Sequence, residues 1–482
     1  MANLSDQTIQ KQLSLRAKIK IILVLALPAV VENFFQTMLG FADTFFVTQI
    51  GLEEVSAVGV TNAILAIYFA LFMAIGVGVN VLMVNALGEQ DEKRASKIAQ
   101  QGIILAALVG SLTGVVTLLF AEPLLRLLGV EGRVLELGAL YFRIVAVPSI
   151  LMAFMFVMSS VLRGVGDTKS PMKAVIVANL VNIVLDVVLI FGFLFIPALG
   201  IVGAAIAGVI ARIVATLLLV RYIRKTKEMT FRKEWWRLDK GSQKELLGLG
   251  TPAAIERLAM RVGQVIYFGF IVALGTSTFA AHQIAGNIET FSYMIAYGFA
   301  AAATIIVGKQ VGSGNHAEAK SYAKLISFVS AGFMAVMGVL LFLFGEWIGS
   351  FFSEDAAVVR EIGIALKISA LFQPFLAVLL ILTGAYQGAR NTKYPMYLTI
   401  VGMWLVRTVF VYVLAITLEL GIAGVWIAIG IDIVFRAIVL WVRMEQGRWI
   451  KGEKEMSFKD EVECQCHPNT KQPKLNECVN NY

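Results

Sequence analysis

Charge is scarce in this chain and cysteine nearly absent. Only 15% of its 482 residues are Asp, Glu, Lys or Arg, while 58% are apolar. A soluble domain carries about 25% charged and about 45–50% apolar residues. A chain this poor in polar groups cannot cover itself in water, so a soluble globular fold is excluded. The three cysteines, Cys464, Cys466 and Cys478, all fall near the C-terminus. They offer no disulfide framework and fit a reducing, cytoplasmic tail. Histidine is limited to His282, His316 and His467, and no two of them have metal-ligand spacing. That argues against an intramembrane metalloenzyme, and the tail's Cys464, Cys466, His467 and Cys478 read as free side chains rather than a zinc site. Period-two alternation is missing from runs such as 174–197, which excludes a β-barrel. The first 18 residues are polar and lack an apolar segment with a cleavage site, so the first helix is expected to stay in place.

Long apolar runs are what the chain does have. A helix needs about 20 apolar residues to cross the hydrocarbon core, and twelve stretches meet that length. In the first half they are 20–47, 55–86, 98–120, 137–161, 173–196 and 201–223. In the second half they are 248–273, 278–308, 321–345, 362–386, 395–418 and 421–443. The expected architecture is therefore all-α, a polytopic membrane protein of twelve transmembrane helices in two pseudo-symmetric six-helix lobes.

Positive charge fixes the orientation. Lys11, Arg16, Lys18 and Lys20 precede the first helix, Lys93, Arg94 and Lys97 follow the second, and Arg163, Lys169 and Lys173 follow the fourth. The central connection from Arg221 to Lys244 holds nine Lys or Arg. The opposite loops offer only Arg126, Arg133 and Arg360, beside six acids. Both termini are thus expected in the cytoplasm of a cell whose inner or plasma membrane holds the chain. The net charge of +8 is spread between apolar runs rather than over one soluble face, so the partner is the lipid bilayer and not nucleic acid. The expected organisation is a cytoplasmic segment 1–18, a first lobe 19–224, a basic linker 225–247, a second lobe 248–450 and a polar cytoplasmic tail 451–482.

The chain is written twice. Adding 224 carries Pro28, Ala29 and Glu32 onto Pro252, Ala253 and Glu256, Gly51 onto Gly275, and Gly88 onto Gly312. The same step carries Gly164, Thr168, Lys169 and Pro171 onto Gly388, Thr392, Lys393 and Pro395. Parallel repeats related by an axis along the membrane normal are a construction of secondary transporters.

Acids inside membrane helices cost roughly 2.5–3.5 kcal/mol each on insertion scales and call for a reason. They are Glu32, Asp43, Asp186, Glu256, Glu289 and Asp432. Asn179, Asn182 and Asp186 are spaced three and four apart, hence on one helix face. Asp186 lies about 13 residues into its helix, roughly 20 Å deep, a depth comparable with that of Asp43. The two carboxylates are therefore expected to meet inside the first lobe. At the repeat offset these four positions become Tyr267, Met403, Val406 and Phe410, so only one lobe carries the cluster. Glu32 and Glu256, present in both lobes, fit a shared structural role or a shared cavity role. Pro28 removes a backbone donor from helix one and favours a bend there. Arg257, Arg261, Arg407 and Arg436 are candidates to pair Glu256 and Asp432.

These features resemble those of the multidrug and toxic compound extrusion (MATE) transporters over residues 15–450. The likeness rests on Leu162-Arg-Gly-Val-Gly-Asp167-Thr168, Asn182-Ile-Val-Leu-Asp186, Gly203-Ala-Ala-Ile-Ala207, Ala281-His-Gln-Ile284 and Val307-Gly-Lys-Gln-Val-Gly312. It implies a secondary antiporter that exports small organic cations in exchange for protons or sodium ions, with no other cofactor, working as a monomer. It also implies that Asp43, Asn179, Asn182 and Asp186 bind the coupling ion, with Na+ at Asp43, Asn182 and Asp186 as one form, and that helix one bends at Pro28. Glu32, Gln36, Glu256, Gln283 and Asn287 are candidates to line the substrate cavity. Gly208 stands where many relatives have Thr, which removes a hydroxyl ligand and leaves proton and sodium both open. No acid occurs near Leu376 in helix ten, so the pattern is nearer the DinF-type branch than the NorM type. A lipid-linked oligosaccharide or lipid flippase is the alternative within the same architecture.

Overall fold

A computed structural model describes residues 14–193 and 197–450. Lys11, the three cysteines, His467 and the tail 451–482 lie outside the described residues. The first six helices are α1 (Leu15–Thr48), α2 (Leu52–Gly88), α3 (Glu92–Leu127), α4 (Gly132–Ala146 continued by Ser149–Gly164), α5 (Lys169–Phe191) and α6 (Ile201–Lys225). The second six are α7 (Lys240–Ala273), α8 (Thr276–Gly312), α9 (His316–Gly349), α10 (Ala356–Gly388), α11 (Lys393–Thr417) and α12 (Gly421–Glu445). Ten of these are long and apolar enough to cross a membrane alone, and α4 makes an eleventh, bent by 46° at Val147–Pro148. The twelfth is α7, whose Glu256, Arg257 and Arg261 lower its apolar character but whose 34 residues equal those of α1.

The repeat seen in the sequence is a repeat of structure. Helices α2 and α8 are both 37 residues long, and α6 and α12 are both 25. Gly51 and Gly275 start equivalent helices, and Gly275 does so at φ 124°, which an L side chain rarely adopts. Each lobe has its own core, around Phe72 and Phe142 in the first and around Tyr386 and Trp426 in the second. The N-terminal half of α1 does not stay in its own lobe. Ile22 and Ala26 bury themselves against Phe299, Tyr322 and Ile381 of the second.

The lobes meet at the end that carries the basic loops. A Cβ on Gly312 would stand 2.2 Å from the Asn85 carbonyl oxygen, and one on Gly88 would stand 2.3 Å from that of Lys309. Glycine at these repeat-related positions lets α2 and α8 touch backbone to backbone. Asn85 Nδ2 adds a 3.0 Å bond to the Gly388 carbonyl, and Lys18 pairs with Glu318 at 2.7 Å.

Most helices run a few residues beyond the apolar stretches, and two boundaries differ for reasons of local chemistry. Helix α5 ends at Phe191, not 196, because Gly192 turns the chain at φ 79°. Helix α7 begins at Lys240 rather than 248, since Asp239 caps it by accepting from the Ser242 backbone N–H at 3.1 Å. The linker between lobes is correspondingly short and does not hang free. Gln101 of α3 donates to the Trp235 and Arg237 carbonyls, both at 2.8 Å, and accepts from the Asp239 N–H at 3.0 Å. Helix α1 runs unbroken through Pro28, although Pro28 leaves the Val24 carbonyl without its usual partner. Non-helical torsions occur instead at Phe120 in α3, three residues before Pro123.

Candidate functional site

Helices α1 and α5 both start at the basic end and lie side by side. Asn179 Nδ2 donates to the Phe35 carbonyl at 2.6 Å. Seven residues further along α5 is Asp186, and eight further along α1 is Asp43, equal advances of roughly 10–12 Å. The two carboxyls consequently come close enough to interact with each other. When ionised both are acceptors only, so a proton on one of them is what would let them bond. Asn182, one turn before Asp186, donates from Nδ2 to its Oδ2 at 2.8 Å. Asp186 is 1% exposed and Asn182 2%, whereas Asp43 is only partly covered and its Oδ1 has no hydrogen-bond partner among the described residues.

Two groups beside this pair escaped the sequence reading. Arg212 of α6 lies close enough to interact electrostatically with Asp43 and with Tyr141 of α4. Its Nη1 also donates to the Val145 carbonyl at 3.2 Å. A lone Arg in the middle of an apolar helix is a readable signal of a buried partner. Tyr141 gave no signal at all, since nothing marks it in an apolar run until α4 packs on α6. The assembled site contains two carboxyls, an amide donor, a phenol and a fixed cation. Among the described residues, no group of three or more His, Cys, Asp or Glu could hold a metal ion.

The other candidates lie elsewhere. Glu32 is buried, 3.6 Å from Arg163, and accepts from Gln36 Nε2 at 3.4 Å. Gln283 and Asn287 are exposed and share a helix face with Phe291, which stacks on Phe41 and leans on Phe34 of α1. They thus lie along the seam between the lobes. Glu256 accepts from the Thr399 hydroxyl at 3.1 Å. Its expected partner Arg257 lies over the Tyr297 ring instead, and Arg261 bonds Gln264. Asp432 behaves as expected of a structural acid. Both Arg407 and Arg436 hold it, at 2.7 and 2.6 Å.

The second lobe also contains a polar cluster around one buried acid that the repeat offset could not reveal. Glu289 of α8 accepts from the Ser369 hydroxyl and from Gln373 Nε2, both on α10.

Comparison with known proteins agrees with this architecture. A sequence model of the MatE family matches the chain twice, over residues 28–188 and 252–413; the second start is the first plus 224. The probable multidrug resistance protein NorM of Thermotoga maritima is 32% identical over 433 residues, covering 90% of this chain and 93% of that protein. The multidrug resistance protein PmpM of Pseudomonas aeruginosa is 26% identical over 463 residues, covering 94% and 97%. A solved structure described as the outward-facing conformation of a multidrug resistance MATE family transporter of the MOP superfamily superposes with a TM-score of 0.84 at 24% identity. It covers 89% of this chain and 96% of its own. Of these two relatives one carries the NorM name and neither the DinF name, so the comparisons do not reach the finer expectation of a DinF-type branch.

Proposed function

The chain belongs to the MatE family, and from that premise we propose that it exports organic cations from the cytoplasm in exchange for protons, by alternating access of its two lobes. It is a transporter rather than an enzyme. The contact between Asp43 and Asp186 carries the reading. Arg212 can balance only one of the two neighbouring carboxyls in a low-dielectric lobe, so the pair takes up or releases a small cation as it is opened to either side.

Protons suit the site better than sodium. Arg212 already stands near Asp43 as a tethered cation, and Asn182 turns its amide N–H rather than its oxygen toward Asp186. Sodium asks for several oxygens, and Gly208 supplies none from its side chain. In the proposed cycle a proton arriving from outside occupies the pair and releases the bound organic cation outward. The lobes then rock, and the proton leaves to the cytoplasm. Exchange of one proton for one monovalent cation moves no net charge and is driven by the pH difference; each further proton moved per cycle adds about 2.3 kcal/mol at a potential of about 100 mV. Positive charge in the loops supports cytoplasmic termini in a cell membrane, and the two complete lobes within one chain support a monomer. The relatives named for multidrug resistance do not favour the flippase reading.

Efflux of an organic cation from proteoliposomes, with proton and sodium gradients imposed separately, tests this. Transport under the proton gradient alone is expected. Transport that needs sodium at equal pH would replace the proton with sodium, and transport under neither would end the antiport reading.

A further inference from the structure

Between the cytoplasmic ends of α7 and α11 lies a groove of about 700 Å³. Its mouth is formed by Lys240, Lys244 and Lys393, and its walls by Leu247, Ile255 and Met396. All three lysines are exposed, and none pairs with a carboxylate among the described residues. The acids next to them are already engaged. Asp239 is held by Lys97 at 2.9 Å, and Glu245 by Arg94 at 3.4 Å and Arg390 at 3.8 Å. The mouth is therefore a net positive site with its own counter-charges taken.

Chemistry changes along the groove in one direction. From Lys240 to Ile255 the helix advances roughly 22 Å, from ammonium groups at the membrane surface to apolar side chains within the hydrocarbon layer. Leu247 and Ile255 are exposed, at 47% and 42%. The first lobe repeats part of this design, with Lys20 and Lys169 at the positions of Lys244 and Lys393. There α5 is bound to α1 through Asn179 and the Phe35 carbonyl; in the second lobe Trp404 makes the corresponding tie, its Nε1 donating at 3.0 Å to the carbonyl of Ala259, the equivalent of Phe35, and the groove lies on the Lys240 side of it.

We propose that this groove binds one anionic phospholipid of the cytoplasmic leaflet, its phosphate held by Lys240, Lys244 and Lys393 and an acyl chain lying between α7 and α11. Basic pockets between transmembrane helices on the cytoplasmic side suit such headgroups, each Lys adding attraction that a zwitterionic lipid does not receive. The seated chain runs beside Pro252, where α7 lacks the hydrogen bond to the Gly248 carbonyl. Leaflet composition thereby bears on the helix that carries Glu256. The assignment depends on the cytoplasmic placement of the linker but not on the identity of the coupling ion.

The test uses the full chain in nanodiscs of phosphatidylcholine containing photoactivatable phosphatidylglycerol, with labelled peptides mapped after irradiation. Labelling of α7 and α11 is expected. The triple variant K240Q/K244Q/K393Q should weaken it by about tenfold or more. A control triple variant K225Q/K227Q/K233Q, which removes the same charge from the linker region, should stay within about twofold of wild type. Equal labelling by photoactivatable phosphatidylcholine, or equal loss in both variants, would overturn the proposal. So would carbodiimide coupling of Lys240, Lys244 or Lys393 to a carboxylate of residues 451–482, because the chain's own tail would then fill the groove.

Discussion

Asn179 donates its side-chain amide to the backbone carbonyl of Phe35 at 2.6 Å, binding α5 to α1 in the register that lets Asp43 face Asp186. Replacing the amide by an apolar isostere leaves α5 helical but removes the tie. The variant N179L is expected to reach the membrane in normal amounts and to lose about tenfold in efflux rate, the size expected from a buried hydrogen bond of about 1 kcal/mol or more. Quantitative blotting beside initial-rate efflux checks it, and wild-type efflux would show that the register is set elsewhere.

The close approach of the lobes at Gly312 yields a second expectation. A Cβ there meets the Asn85 carbonyl oxygen at 2.2 Å, and backbone cannot swing aside as a side chain can. Overpacking of this kind costs about 1–3 kcal/mol, here borne by the state in which the ends that carry the basic loops are shut. Hydrogen exchange at the ends of α2 and α8 should rise in G312A and efflux should fall. Unchanged exchange would mean that the glycine contact is not part of the closure.

Asp432 separates structural acids from working ones. Arg407 and Arg436 both bind it in the buried second lobe. Removing the carboxylate strands two cations, and breaking a buried pair costs about 3–5 kcal/mol. D432A should therefore give little folded protein by fluorescence-detected size exclusion, whereas D43N should fold normally and fail only in transport. Equal yields from both would place Asp432 among the working groups.

At the start of α7, Asp239 accepts from the Ser242 backbone and hydroxyl and from Lys97, and these bonds hold its carboxyl well below the usual carboxylate range. A depressed folded-state value means stability that is fully present above the unfolded pKa, shrinks progressively below it and is gone once pH has fallen through the folded one. D239A should lower thermal stability by about 1 kcal/mol, the usual worth of such a cap. The gap from wild type should persist from neutral pH into mild acid and close only in strong acid. Thermal melts across that range decide it; a gap that closes near the ordinary Asp value would contradict the account.

Most of the fold was legible because two strong signals agreed. Apolar length marked the crossings, and the 224-residue repeat checked them lobe against lobe. The meeting of Asp43 with Asp186 was legible for the same reason, since depth within two helices starting on one side is simple arithmetic. Boundaries failed where local chemistry outranked hydropathy. Gly192 stopped α5 inside an apolar run, and the Asp239 cap extended α7 into a charged one. Contacts that depth within the membrane does not by itself specify were hidden. Glu289 finds Ser369 and Gln373 only once α8 and α10 are packed, and Arg212 finds Tyr141 only through α4. Sequence spacing reports neighbours along a helix face, not those across it.

The central claim is that the Asp43–Asp186 pair exchanges its proton for the exported cation. It is tested most directly by proton release when an organic cation is added to the purified protein in weakly buffered detergent solution. Wild type should release up to about one proton per bound cation, falling as bulk pH rises far enough to empty the pair beforehand. D43N and D186N should still be folded and release none. Release from both variants equal to that of wild type would contradict the account.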